Sequence, residues 1–192
     1  MSEHIAAEIR IGGRVPASLV PALCQSIAHE AVALDWGDGR FSPTTKDELL
    51  EARGDCDGVL LLRLYDSEAP WGQFEQLEHF LQEHGIPYDR LSDPKYEYMA
   101  QLAMFRSGTD PLELPTDPQH RPTVLANELE PVANSLSLLI RYLEEGDVQK
   151  AVETVTQTQE LLQKSLPPAV PPLPAFDIVE EPSEDVSCST AP

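Results

Sequence analysis

The chain has 192 residues, 41% hydrophobic and 6% aromatic, enough for one ordinary domain plus an appendage that packs little. Its 13 basic residues against 33 acidic ones leave a formal charge of −20, a field that repels nucleic acid and anionic lipid and disfavours direct binding to either. No apolar run nears the roughly 18 residues that cross a bilayer, so no membrane span is expected.

The opening MSEHIAAEIRIGG lacks a signal-peptide layout. Three scattered cysteines, Cys24, Cys56 and Cys188, make neither a disulfide framework nor a zinc motif. Both features point to the reducing cytoplasm.

From the N-terminus, His4–Ile11 alternates, with Ile5, Ala7, Ile9 and Ile11 on one face, and reads as a half-buried strand. After Gly12-Gly13, Leu19, Leu23 and Ile27 recur every four residues and predict an amphipathic helix from about Ala17 to Glu30. Pro21 is tolerable in its first turn. Val32–Trp36 reads as a short strand and Thr44–Arg53 as a short helix capped by Thr44 or Thr45. A polar turn over 54–58 leads into GVLLLRLY, residues 58–65, whose unbroken apolar run predicts an interior strand. Pro70 opens a helix through His84 with Phe74, Leu77 and Leu81 as its stripe, and Gly85 ends it. Ile86–Leu91 and Tyr96–Arg106 flank a turn quartet and read as a β-hairpin.

These elements occupy residues 1–106 and predict an α/β (α+β) domain with a mixed sheet. A ferredoxin-like split βαβ arrangement with an extra edge strand is the first expectation, and a small doubly wound sheet the second. Residues 107–122 hold four prolines without periodicity and read as a linker. In 123–166 the pattern changes. Leu125, Leu129, Val132, Leu136, Leu139 and Leu143 step by 4, 3, 4, 3, 4, and so do Val148, Val152, Val155, Gln159, Leu162 and Leu166. Gly146 and Asp147 between them suit a helix end and an N-cap, so an αα-hairpin is expected. Residues 167–192 are rich in proline and acid and read as a disordered tail.

Little in the chain carries chemistry. His79 and His84 are five apart, which turns them about 140° from each other on a helix, unlike paired metal ligands. The turns around Asp35–Gly39 and Asp55–Gly58 lack the ligand set of a calcium loop. Gly12, Gly13 and Arg14, between a strand and a helix, form a weak candidate anion site without a dinucleotide or P-loop fingerprint. No hydrolase or cysteine-nucleophile signature is present, so no catalytic residue, metal or cofactor is assigned.

The strongest signal is the pair of heptad-like stripes. Leu136, Leu139, Leu143, Val152, Val155 and Leu162 are the expected interaction surface, joined by Tyr96 and Tyr98 beside their turn. The leading reading is a non-catalytic interaction or regulatory protein, engaging a protein partner or a second copy through the hairpin. Two alternatives belong to other classes: an acidic DNA mimic that inhibits a nucleic-acid-binding protein, and a small-molecule-binding or catalytic α/β domain with its site at the strand ends.

Overall fold

The computed structural model describes residues 3–96 and 98–180. Six strands form one antiparallel sheet: β1 (His4–Ile11), β3 (Arg53–Cys56), β4 (Val59–Pro70), β5 (Tyr88–Ser92), β6 (Ala100–Phe105) and β7 (Leu112–Thr116). Their order across the sheet is β3-β4-β1-β5-β6-β7. The helices α1 (Val20–His29) and α3 (Glu75–Glu83) follow β1 and β4. The first four strands in that order, with these two helices, reproduce the ferredoxin-like split βαβ; β6 and β7 extend its far edge. Every pairing in this sheet is antiparallel, so the doubly wound alternative does not apply.

The alternation in β1 places the core as expected. Ile5, Ala7, Ile9 and Ile11 are buried, and the last three pack in one cluster with Leu23, Cys24 and Ile27 of α1 and Leu77, Phe80 and Leu81 of α3. Glu8 and Arg10 point to the opposite face, where Glu8 holds Arg10 at 2.5 Å and Arg63 at 3.1 Å. The short helix α2 (Lys46–Glu51) is fixed by a full capping box: Thr45 accepts from the Glu48 amide, and Glu48 reaches back to the Thr45 amide.

Several segments differ from the expected pattern. The helix expected from Pro70 begins only at Glu75, because β4 runs on through Pro70. Val32–Trp36 is not a strand; Ala33 alone bridges Tyr65, on the edge of β4 that β3 leaves free. The polar run after α2 is itself a strand, β3, joined to β4 by a two-residue turn. Asp57 (φ 55°) and Gly58 (φ 85°) both take the left-handed conformation that such a turn requires. The 107–122 segment contains β7, whose Leu112 and Leu114 alternate across an edge position where Pro115 costs no ladder bond.

The largest difference lies after residue 166. Leu173 and Phe176 are buried, and Phe176 belongs to the main core. β8 (Asp177–Val179) pairs in parallel with β2 (Arg14–Pro16). The expected tail is therefore a strap over 171–179, secured further by Arg106 Nε donating to the Pro171 carbonyl at 2.8 Å. Residues 181–192, with Cys188, lie outside the described residues. Scattered apolar residues among prolines carry no period, which is why the strap is silent in the sequence.

Candidate functional site: the open face of the helical hairpin

The expected αα-hairpin is present as α4 (Ala126–Glu144) and α5 (Val148–Ser165). Asp147 caps α5, accepting from the Lys150 amide and pairing with Lys150 Nζ at 2.7 Å. That ammonium and that amide hold the Asp147 carboxyl below its ordinary range. Gly146 (φ 75°) supplies the left-handed residue that ends α4. Pro131 falls inside α4 rather than at its start.

The two helices do not meet along the leucine and valine stripes. Their shared seam is built of small and hydroxyl residues. Val132, Ser135, Ala151 and Thr154 are its buried members, and Leu139 is half-buried. Thr158 Oγ1 donates to the Thr154 carbonyl at 2.7 Å, so Ser135 Oγ is the donor in its 2.7 Å contact with Thr158 Oγ1. Ser165 Oγ, near the other end, contacts the Glu128 carbonyl at 3.0 Å. The pairs 128 with 165 and 135 with 158 step by seven in opposite directions, which fixes an antiparallel register. Small seam residues bring the helices close, but they bury little apolar surface.

The large apolar side chains lie elsewhere. On α4 and the residue before it, Leu125, Leu129, Leu136, Ile140 and Leu143 are exposed by 38–60%; on α5 and the residue after it, Val148, Val152, Val155, Leu162 and Leu166 are exposed by 40–68%, while Leu138, 41% exposed, is turned to the other side of the seam. At about 100° per residue, both sets are turned roughly 60–140° from their own seam, in the same rotational sense. Because the helices are antiparallel, equal turns bring both sets to the same side of the hairpin. They form one apolar floor that contains no charged residue. Exposed large apolar side chains are more often scattered singly over a protein surface than gathered on one face in this way.

The expected interaction residues thus divide. Leu136, Leu143, Val152, Val155 and Leu162 lie on the open floor, whereas Leu139 turns into the seam. Ile140, missed because it is out of step with the leucine heptad, belongs to the floor. A second period was available in the sequence: Ala151, Thr154, Thr158, Leu161 and Ser165 step by 3, 4, 3, 4 and trace the seam.

The remaining candidates sit apart. Tyr96 (φ 51°) is 90% exposed, and Tyr98 meets Trp71 edge-on at 5.8 Å beside two grooves of about 390 and 260 Å³. The polar lining of the larger groove, Gln101 and Glu113, is engaged with Arg90 at 3.1 and 3.4 Å. Arg90 is fully buried, donates to the Gly72 carbonyl at 2.8 Å and lies 2.9 Å from Glu78. Tyr88 donates its hydroxyl to Glu78 at 3.1 Å and is kept protonated by burial, then by that carboxylate. This network ties α3 to β5 inside the core; its role is structural.

At Gly12-Gly13-Arg14 the chain itself takes the groups that an anion would need. The Gly12 amide donates to Pro87, the Gly13 amide to Pro174 and Ala175, and the Asp177 amide returns to Gly13. The glycines admit the strap, with a Cβ on Gly12 falling 2.3 Å from the Pro174 carbonyl oxygen. Neither amide remains for a phosphate. His79 borders a groove of about 580 Å³ with Glu75 and Glu83, while the His84 ring meets Phe80 at 4.5 Å, tilted by 59°. Among the described residues no helix is long and apolar enough to cross a membrane.

Comparison with protein-family models, with curated proteins and with solved structures gives no match for this chain.

Proposed function

We propose that this is a non-catalytic association protein, whose hairpin presents a two-helix apolar floor for docking protein helices. One observation carries the reading: the hairpin joins itself through Val132, Ser135, Ala151 and Thr154 with Leu139 half-buried, and leaves Leu136, Ile140, Leu143, Val152, Val155 and Leu162 uncovered on one side. A two-helix unit seldom buries enough apolar area to stand alone, and this one turns most of its own outward. Helix-on-helix packing against a partner completes such a layer. Cys24 and Cys56 carry no disulfide, which supports the cytoplasm as the place where it works.

The test is site-specific photocrosslinking of the full chain in native lysate, with a benzophenone side chain at position 140 or 152. A protein adduct at both positions, and none at position 141 on the far side of α4, is the expected result. Absence of any adduct from 140 and 152 would overturn the docking reading, whatever the partner.

A further inference from the structure

We infer that the occupant of the floor is a second copy of this chain, packed as a two-fold four-helix bundle with α4 of one copy against α5 of the other. The inference rests on the docking reading and names its partner.

Charge limits how two copies of this chain can meet. A chain carrying −20 can approach its own copy only through a surface free of like charge, and the floor is such a surface. The flanks then choose between the two symmetric ways of stacking hairpins. Along the outer flank of α4 lie Glu130, Ser137 and Glu144; along that of α5 lie Gln149, Thr156 and Gln163. A two-fold axis across the helices would stack α4 on α4 and bring acid to acid. An axis along the helices stacks α4 on α5 and keeps every residue at its own height. The seam register, 135 level with 158, then sets Glu130 level with Gln163 of the second copy, Ser137 with Thr156 and Glu144 with Gln149. Each carboxylate flank thus lies alongside neutral amides and hydroxyls.

The same register interleaves the floors. Leu143 comes beside Val148 of the second copy, Ile140 beside Val152, Leu136 beside Val155, and Leu129 between Leu162 and Leu166. Small Ala133 comes level with Gln159, the one polar residue in the stripe. Alternating heights are what ridge-into-groove packing needs. Two helices of about 27 Å, set 8–10 Å apart, give a flat footprint of about 500 Å². Counted on both copies, that is about the 1,000 Å² which a specific interface is expected to clear.

The test uses the full chain. Light scattering after size exclusion at about 100 μM should give twice the 21.2 kDa protomer mass. Val152→Glu and Ile140→Glu should each return the protomer mass with an unchanged circular dichroism spectrum, since both side chains are more than half exposed in the protomer. Orientation is read by Ile140→Cys with Val152→Cys. At about 100° per residue both are turned more than 90° from their own seam, away from the other helix of the same hairpin, and a bond within one hairpin would leave the protomer mass. Oxidation of the double variant should give a covalent dimer, and oxidation of either single variant should not, which also controls for the native thiols. A wild-type protomer mass would overturn the second copy, yet an adduct to another protein from position 140 would leave the docking reading standing. A dimer that the double variant fails to crosslink, or that Ile140→Cys alone crosslinks, would overturn the α4-on-α5 arrangement.

Discussion

A methyl group at Gly12 would meet the Pro174 carbonyl oxygen at 2.3 Å, so Gly12→Ala acts by displacing the strap. The expected loss is that of the strap's anchor, Phe176, whose truncation to alanine should cost about 3–5 kcal/mol as a fully buried aromatic. The two changes share one cause and should not add: Gly12→Ala introduced into Phe176→Ala should cost far less than in the wild-type chain. Chemical denaturation of the four proteins measures this coupling, and full additivity would separate Gly12 from the strap. A second residue-scale effect concerns acid. The Thr44 amide, then the Thr44 hydroxyl and Thr45 amide, hold the Glu48 carboxyl below its ordinary value. A carboxyl lowered in the folded state stabilises fully above its unfolded pKa, and that contribution is lost as pH falls through the folded one. Glu48→Gln should therefore melt below wild type at neutral pH, with the gap closing below about pH 4. Thr45→Ala removes the other half of the box and should cost about 1 kcal/mol.

At the scale of elements, the helical hairpin has two apolar systems that a single change can separate. Leu139→Glu puts a carboxylate into the α4–α5 seam, level with Thr154 in the register set by Ser135 and Thr158, and should lower the melting temperature of the hairpin. Val152→Glu places the same charge on the open floor and should leave melting of the dilute protein unchanged. Circular dichroism melts of the two variants compare the sites directly. The contrast also shows how far the sequence could be read. Regular alternation in β1 and 3.6-residue periods in α1, α3, α4 and α5 expose their buried or apolar faces, because one face of each repeats. The heptad stripe located the apolar surface of the hairpin but not its direction, since leucine spacing cannot say whether the facing helix or solvent lies beyond. The elements that went unread have no face to repeat: β3 is four residues of mostly polar chain held by its turn, β7 is interrupted by Pro115, and the strap packs through Leu173, Phe176 and Ile178, which follow no period. Arg90 was equally hidden, because its burial depends on Glu78, Gly72 and Gln101, which arrive from three other segments.

For the whole molecule, net charge and the open floor make opposing contributions that salt can tell apart. Two copies of −20 repel over about 30 Å at 0.01 M salt and over about 10 Å at 0.1 M. The floor itself holds no ion pair to be screened, and its apolar contribution is not weakened by added salt. Association through this surface should therefore tighten as ionic strength rises from about 20 mM to about 300 mM, with the dissociation constant falling several-fold, and should level off once the repulsion is screened. An interface built on salt bridges would weaken over the same range. Sedimentation velocity across a salt series reads the sign, and a charge variant on the neutral flank of α5 reads the cause. Gln163→Lys places an ammonium level with Glu130 of the second copy and lowers the charge on both copies, so it should tighten the dimer most at low salt and converge on wild type at high salt. If wild-type association weakens steadily with salt, the copies meet through charged groups, and the charge-free floor of α4 and α5 is not where they join.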